Sequence, residues 1–516
     1  MTETAKDGLA GIFLGACSAL TPQPTPSKQK HIVLVVLDGF RPDYREFAST
    51  PNLDSLMKKG ATYQNSWVGQ LMNVTPPGHV SISTGLSPNK TDVCSFAWKN
   101  KEGILEQYYS FPNTLSGLTN NLLQAKGIKG IASQFKSVYP RSITATVTSV
   151  NFYALAGLSA DGVDVEIGCD MSNVSGVQSS APEMKPVAFA GTDVDVSILN
   201  DPELTRKRLS PEDEDTWAMD VAIKVLNQYR PGVLMMNLPF IDTPGHLYGN
   251  IVAKDKMKIA VENADKQIGR LMDAYKTLNL YEDTIFLIAS DHGQNPSLNW
   301  IDKEKISAIL TNAGAKEQLL IHPDLFLVDP SKSEVVAEDI AKEELPGILG
   351  TFYRTNADGG GFTYRPSTTT RQKLSGALLA SYQYLTDTYR TTGPDVLILL
   401  EEDWRINYIL PGMKESLAGG HDTVTWTNQH NLLLIAGPGV KNGIVTDSPA
   451  RLIDIAPTVL TLAGVQPAGM EGIVLADCLT SPTANQVSAQ NDLSEKLKPL
   501  QEALKAQSQA NLSGGQ

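Results

Sequence analysis

Short, unbroken apolar runs, each closed by a turn-forming or acidic residue, recur along most of the chain. The clearest are Ile32–Leu37, Val233–Leu238, Thr284–Ala289, Val396–Leu400 and Leu432–Ala436. Runs this short without polar alternation predict strands buried on both faces. Between them the apolar spacing lengthens to a helical period. Ser210-Pro-Glu-Asp213 combines a cap, a first-turn proline and two first-turn acids, which predicts a helix through about Tyr229. From Asp255 to Leu278, the positions of Ile259, Ile268, Leu271, Met272 and Tyr275 predict a helix lying on the sheet. Buried strands alternating with helices predict an α/β fold, a mostly parallel sheet covered on both faces.

Other stretches lack this regularity. Residues 135–210 and 297–418 show little repeated patterning or interrupt it, and are expected to form caps over a site inside a catalytic domain of residues 31–480. After residue 480 the chain turns polar, with a stripe of Leu493, Leu497, Leu500 and Leu504 broken by Pro499. A frayed surface helix or polar tail is expected there. At the other end, Leu9–Leu14 is apolar and Leu14-Gly-Ala-Cys17 matches the bacterial lipobox, followed by a Ser/Pro/Thr/Gln-rich tether. Residues 1–30 therefore read as a lipoprotein-like signal and linker, with Cys17 lipidated and the protein outside the cytoplasm, in the periplasm or cell envelope. Glu3, Lys6 and Asp7 depart from the usual basic start of such a signal. No other segment nears the ~20 apolar residues of a membrane span, so the membrane link expected is the Cys17 lipid alone.

Composition narrows the class. The 516 residues are 41% hydrophobic and 19% charged, enough for a large core, and the net charge of −13 argues against general nucleic-acid binding. Cys94, Cys169 and Cys478 have no metal-ligand spacing and indicate no disulfide framework.

Candidate chemistry sits at the ends of the predicted strands. Asp242-Thr-Pro-Gly-His246 and Ser290-Asp-His292-Gly293 each follow an apolar run, Asp38 follows another, and His421 follows Leu417-Ala-Gly-Gly420. Zinc takes imidazole nitrogen and carboxylate oxygen, and a catalytic zinc keeps one position open. Asp and His divided into two sets suit a pair of ions about 4 Å apart, which hold the attacking and leaving oxygens of a phosphoryl displacement. Thr75, before Pro76-Pro-Gly-His79, is the candidate nucleophile at a helix start, where backbone donors favour an anionic oxygen. His79, one turn on, reads as a structural hydrogen-bonding group, as do His31, His322 and His430. The Gly359-Gly-Gly361 run lacks the Lys and Ser/Thr of a phosphate loop.

Taken in order, Asp38, Thr-Pro-Pro-Gly-His, Asp-Thr-Pro-Gly-His-Leu-Tyr-Gly, Asp-His-Gly and a late Gly-His resemble the alkaline phosphatase superfamily, within it the type I phosphodiesterase/nucleotide pyrophosphatase family. The resemblance implies a three-layer α/β/α sandwich and two divalent ions, zinc by preference. It implies that one ion is held by Asp242, His246 and His421, and the other by Asp38, Asp291, His292 and Thr75. It further implies hydrolysis of a small-molecule phosphodiester or nucleotide pyrophosphate through a phosphothreonine. Two departures bear on this. Where diesterases of the family place an Asn downstream of the threonine, this chain has Thr91-Asp-Val-Cys-Ser-Phe96, leaving Asn73, Asn100 or a backbone amide to replace it. The Lys-x-Arg pair of the related monoesterases is also absent, which leans towards diesters. A phosphomonoesterase or phosphonate hydrolase on the same metals is the alternative enzyme. A lipid-anchored protein that retains the metals without turnover is the alternative from another class. Phe96, Trp98, Tyr153, Tyr248 and Tyr364 are candidates to stack a base or aryl group.

Overall fold

The structure, a computed structural model, describes residues 29–99, 104–107, 115–160, 162–170, 183–188, 197–321, 323–357, 361–374, 376–389, 393–407, 417–421 and 423–514. Cys17, Asn100 and His322 lie outside the described residues.

A nine-stranded sheet forms the centre. Its middle is parallel: His31–Leu37 lies between Val233–Leu238 and Thr284–Ala289, and Val233–Leu238 continues to Thr144–Val147 and then to Val165–Cys169. The edges are mixed, because Leu433–Ala436 runs antiparallel to Thr284–Ala289 and Pro186–Ala188 antiparallel to Val165–Cys169. One face is covered by the helices Glu212–Tyr229 and Lys254–Thr277 and the other by Ile131–Val138 and Ile455–Leu462, so each face has its own apolar core. This is the expected three-layer α/β/α sandwich. Along the second long helix Ile268, Leu271, Met272 and Tyr275 are buried as their spacing predicts, whereas Ile259 is exposed. It sits in the first turns, where the buried stripe runs instead through Met257, Ala260 and Val261.

Three expectations are corrected. The stretch 135–210 is not only a cap, since Thr144–Val147 and Val165–Cys169 are strands of the main sheet. Their fully buried Thr144, Thr146 and Glu166 gave the run a polar look that hid it. Val396–Leu400 is a strand as predicted, but it belongs to a separate five-stranded sheet built inside the insertion, with Asp324–Leu327 and Ile348–Asn356 as its neighbours. The C-terminal stretch is a packed helix, Ala484–Gly514, in which Leu497 and Leu504 are fully buried against the insertion's helix Gly376–Asp387. The leucine stripe rather than the polar average decided the outcome. No helix among the described residues is long and apolar enough to cross a membrane.

Candidate metal centre

Parallel pairing brings the first three candidate carboxylates together. Leu37 is in register with Leu238, and Val36 with Ala289, so Asp38, Asp242 and Asp291 all emerge at the carboxyl edge of three adjacent strands. Ligands gather at this edge in open α/β sheets. Gly39 makes the turn after Asp38: its φ is +70°, its N–H donates to Asp291 Oδ1 at 3.3 Å, and a Cβ there would lie 3.1 Å from Asp242 Oδ1. A side chain at that position would push the carboxylates apart.

Beyond Asp291 the chain crosses back under the site. Asn295–Pro296 pairs antiparallel with Gly419–Gly420, which delivers His421 beside His292 with ring centroids 3.8 Å apart. Asp242 and His246 lie one turn apart on the short helix Asp242–Tyr248, with His246 Nε2 3.1 Å from Asp242 Oδ2. His421 Nε2 is 3.9 Å from Asp242 Oδ1. His292 Nε2 lies 3.4 Å from Asp38 Oδ1 and 3.3 Å from Asp291 Oδ2. Two groups offer ligand atoms all within 4.8 Å of one another: Asp38, Asp291 and His292, and Asp242, His292 and His421. The first holds Asp38, Asp291 and His292 of the set implied by the resemblance, whose fourth member is Thr75. In the second, His292 takes the place given to His246, which meets Asp242 at its other oxygen, Oδ2, with its ring centroid 5.0 Å from that of His421.

Thr75 is buried and opens the helix Thr75–Thr84 as its first residue, one place inside the cap position expected. Its helix is held against Asp291: Gly78 is close enough that a Cβ would sit 3.2 Å from Asp291 Cβ, and His79 Nδ1 is 3.4 Å from Asp291 Oδ2. His79 also bonds the Thr75 carbonyl at 2.9 Å and Asn237 Oδ1 at 3.0 Å. It has the structural role read from the sequence, and it stands beside the site rather than apart from it.

The donor set suits a cation. Asp38 Oδ1, Asp291 Oδ2 and His292 Nε2 are buried and have no hydrogen-bonding partner, an expensive arrangement for three polar atoms that point at one another. Burial and the charge of Asp38 push the Asp291 carboxyl well above its ordinary range. Burial opposes a charge on His292, but Asp291 and Asp38 outweigh it and raise the imidazole to about 10. Burial likewise works against Asp242, but His246 outweighs it and holds that carboxyl low. A bound dication would replace these proton-mediated compromises with direct coordination.

Several residues around the site were missed from sequence. Asn151 and Asn237 donate to Asp38 Oδ2 at 2.8 and 3.2 Å, fixing the carboxylate so that Oδ1 faces the cluster. Asp215 Oδ1 accepts from the Phe240 N–H at 3.0 Å and so shapes the turn into Asp242. Gln294, the residue after Asp291-His-Gly, donates to the Asp242 carbonyl at 3.1 Å. Arg405 lies behind Gly419 and Gly420. Only Gln294, adjacent to a motif, carried a signal in the sequence; the rest arrive through tertiary folding. Of the residues proposed to replace the missing Asn, Asn73 has its amide committed to the Thr423 carbonyl at 2.7 Å and its oxygen to Gln429. Tyr364 is a packing residue, bonded to the Pro394 carbonyl at 2.7 Å, and Phe96 packs edge-on against Tyr153. Trp98 is buried, whereas Tyr248 is half exposed on the helix of His246.

Strand-end carboxylates and histidines on a parallel sheet sandwiched by helices place the molecule with the alkaline-phosphatase-like folds. An alkaline phosphatase, PafA, superposes with a TM-score of 0.62 at 15% identity, covering 88% of this chain and 100% of that one. Murine ectonucleotide pyrophosphatase/phosphodiesterase 5, in an inactive form complexed with AMP, gives a TM-score of 0.55 at 15% identity, covering 86% and 97%. Residues 32–409 match the type I phosphodiesterase/nucleotide pyrophosphatase family, and the chain belongs to it. Among curated relatives, a bovine bis(5'-adenosyl)-triphosphatase, ENPP4, is 24% identical over 353 residues, 64% of each chain. An uncharacterized pyrophosphatase/phosphodiesterase of Schizosaccharomyces pombe is 22% identical over 278 residues, 53% of this chain and 47% of its own. The chain thus spans about half to two-thirds of the length of these relatives.

Proposed function

We propose that the protein is a two-metal phosphoric ester hydrolase that cleaves phosphodiesters or nucleotide pyrophosphates, with Thr75 as nucleophile. The observation that carries this reading is the buried Asp38/Asp291/His292 cluster with three unpartnered ligand atoms, packed against the first turn of the Thr75 helix. Asp38, Asp291 and His292, with Thr75, are assigned to one ion; Asp242, His246 and His421 to the other. Zinc is the cation the donors favour. When bound, the metals supply charge neutralisation for the phosphoryl group and favour the ionised hydroxyl.

The chain's own residues do the rest. Thr75 Oγ1 attacks phosphorus, its bond to phosphorus forms as the ester or anhydride oxygen leaves, and water then cleaves the phosphothreonine and restores the hydroxyl. His79, bonded to the Thr75 carbonyl, and Gly78, which admits Asp291, keep the nucleophile's backbone fixed while this occurs. Burial of the cluster excludes bulk water from the reacting centre. The substrate is a small-molecule phosphate ester or nucleotide. The Leu14-Gly-Ala-Cys17 lipobox supports an extracytoplasmic, lipid-anchored location.

The deciding experiment compares kcat/KM for bis-p-nitrophenyl phosphate and p-nitrophenyl phosphate in defined zinc. The leaving group is the same, so the ratio reports the phosphate site. The diester is expected to be preferred at least about tenfold, a difference of about 1.4 kcal/mol in transition-state binding. Preference for the monoester would replace this reading with the phosphatase alternative.

Zinc loading is also expected to release protons. His292, raised to about 10 by the charges of Asp291 and Asp38, carries a proton at neutral pH that a ligand imidazole cannot keep. Apparent zinc affinity therefore climbs with pH between about 6 and 8, roughly tenfold per unit for each proton released. Calorimetry in two buffers of different ionisation enthalpy measures the release; a proton count of zero would remove His292 from the ligand set.

A further inference from the structure

We propose that Arg405 is a positioning residue for the Asp242/His246/His421 half of the centre, and the part through which the inserted sheet domain holds that half in shape. The proposal rests on the two-metal reading above and adds a residue that no motif of the chain contains.

One carbonyl oxygen is the junction. Gly419 O accepts from Arg405 Nη1 at 2.9 Å and pairs with His246 Nδ1, also at 2.9 Å. A carbonyl has two lone pairs, and both are spent here. Because a carbonyl only accepts, this contact holds a proton on His246 Nδ1, so Nε2, which faces Asp242 Oδ2 at 3.1 Å, is the nitrogen that would serve a metal. Arg405 thus anchors the group that sets the imidazole's tautomer and direction.

The two glycines make this contact feasible. A Cβ on Gly419 would fall 2.3 Å from the Gly245 carbonyl, on the helix of His246, and a Cβ on Gly420 would fall 3.0 Å from Arg405 Cζ and Nη1. The helix presses on one side of the Gly419–Gly420 strand and the guanidinium on the other, and His421 is the next residue. Displacing Arg405 therefore frees the backbone that orients His246 on one side and launches His421 on the other.

Arg405 reports on the insertion because of where it comes from. It lies on Trp404–Asn407, which pairs in parallel with Asn299–Asp302, so the two ends of the inserted domain meet at this residue. It is buried, at 4% exposure. A permanently charged planar fork suits this place, since it bonds a carbonyl in a fixed direction without a proton to lose. The competing role is direct contact with the substrate's phosphate, and the test separates the two.

Zinc affinity is measured on the metal-free full chain by competition with a chromogenic chelator for wild type, Arg405→Gln and Arg405→Lys, followed by diester and monoester kinetics at saturating zinc. Wild type is expected to bind two zinc ions. Arg405→Gln should weaken one of them about 10- to 100-fold and leave the other unchanged, with the diester-to-monoester ratio as in wild type once zinc saturates. Arg405→Lys, which keeps the charge but loses the fork, should fall between. Gly420→Ala crowds the guanidinium without removing it and should weaken the same ion, which keeps the test open if Arg405→Gln does not fold. Wild-type affinity at both sites in Arg405→Gln or in Gly420→Ala would overturn the inference. So would unchanged zinc affinity with a shifted diester-to-monoester ratio, which assigns Arg405 to the substrate. If wild type itself binds no zinc, the two-metal reading fails first and takes this inference with it.

Discussion

Thr75→Ala lowers kcat for bis-p-nitrophenyl phosphate at least about a thousandfold, some 4 kcal/mol of activation free energy, while the chain still takes up its zinc. The substitution removes the hydroxyl and one methyl from a buried residue at the first position of its helix, where the backbone interactions are made by the carbonyl to His79 and by Gly78 against Asp291. None of these needs the side chain. The six carboxylate and imidazole groups stay in place, so metal content should hold and activity should not. Steady-state rates and zinc content on the same preparation check both halves, and acid quenching of wild type during turnover should leave phosphate on the peptide containing Thr75. Wild-type turnover in Thr75→Ala would dismiss the nucleophile. Equal inactivity of both proteins, with zinc bound and nucleotide retained, would favour the metal-retaining binding protein.

Much of this centre is legible in the sequence because its residues lie where the local pattern changes. Asp38, Asp242 and Asp291 each follow a continuous apolar run, and such runs locate both the strand and the edge at which its end must fall. The supporting groups had no such marker. Asn151 reaches Asp38 across 113 positions and Asn237 across 199, and Arg405 reaches Gly419 from a strand whose neighbour lies about a hundred positions away. A buried polar residue looks in sequence like any loop residue until its partner is known. The same ambiguity hid two strands of the main sheet, where threonines face the interior, and it made a packed C-terminal helix look like a tail. There Lys496 and Lys505 extend over Tyr384 and Trp426 while Leu497 and Leu504 fill the interior, so average polarity misrepresented a helix with one apolar face.

Asp291→Asn should have opposite effects on the metal-free and metal-bound protein, and that opposition tests whether the cluster is built for a cation. Asp291 is fully buried; Oδ1 accepts from Gly39 N–H at 3.3 Å, while Oδ2 has no hydrogen bond and faces His79 and His292 at 3.4 and 3.3 Å. Burial and the charge of Asp38 raise its carboxyl well above the ordinary value. A carboxyl raised on folding disfavours the ionised folded state, so its contribution to stability is lost as pH climbs past the unfolded value of about 3.9. Asparagine keeps the size and the Gly39 bond without that loss. In chelator the variant should therefore melt no lower than wild type, with its relative advantage growing as pH rises from about 4 towards 7. Added zinc reverses the ranking, because a ligand at about a thousand times its Kd stabilises the folded state by about 4 kcal/mol and the variant lacks an anionic ligand for it. Melting curves with and without zinc should show the wild type rising by several degrees and Asp291→Asn by less, keeping only the rise that the ion of Asp242, His246 and His421 supplies, with turnover reduced at least about a thousandfold. A variant that is less stable in chelator yet gains as much from zinc as wild type would mean that Asp291 is a structural acid and that the ion, if bound, sits elsewhere.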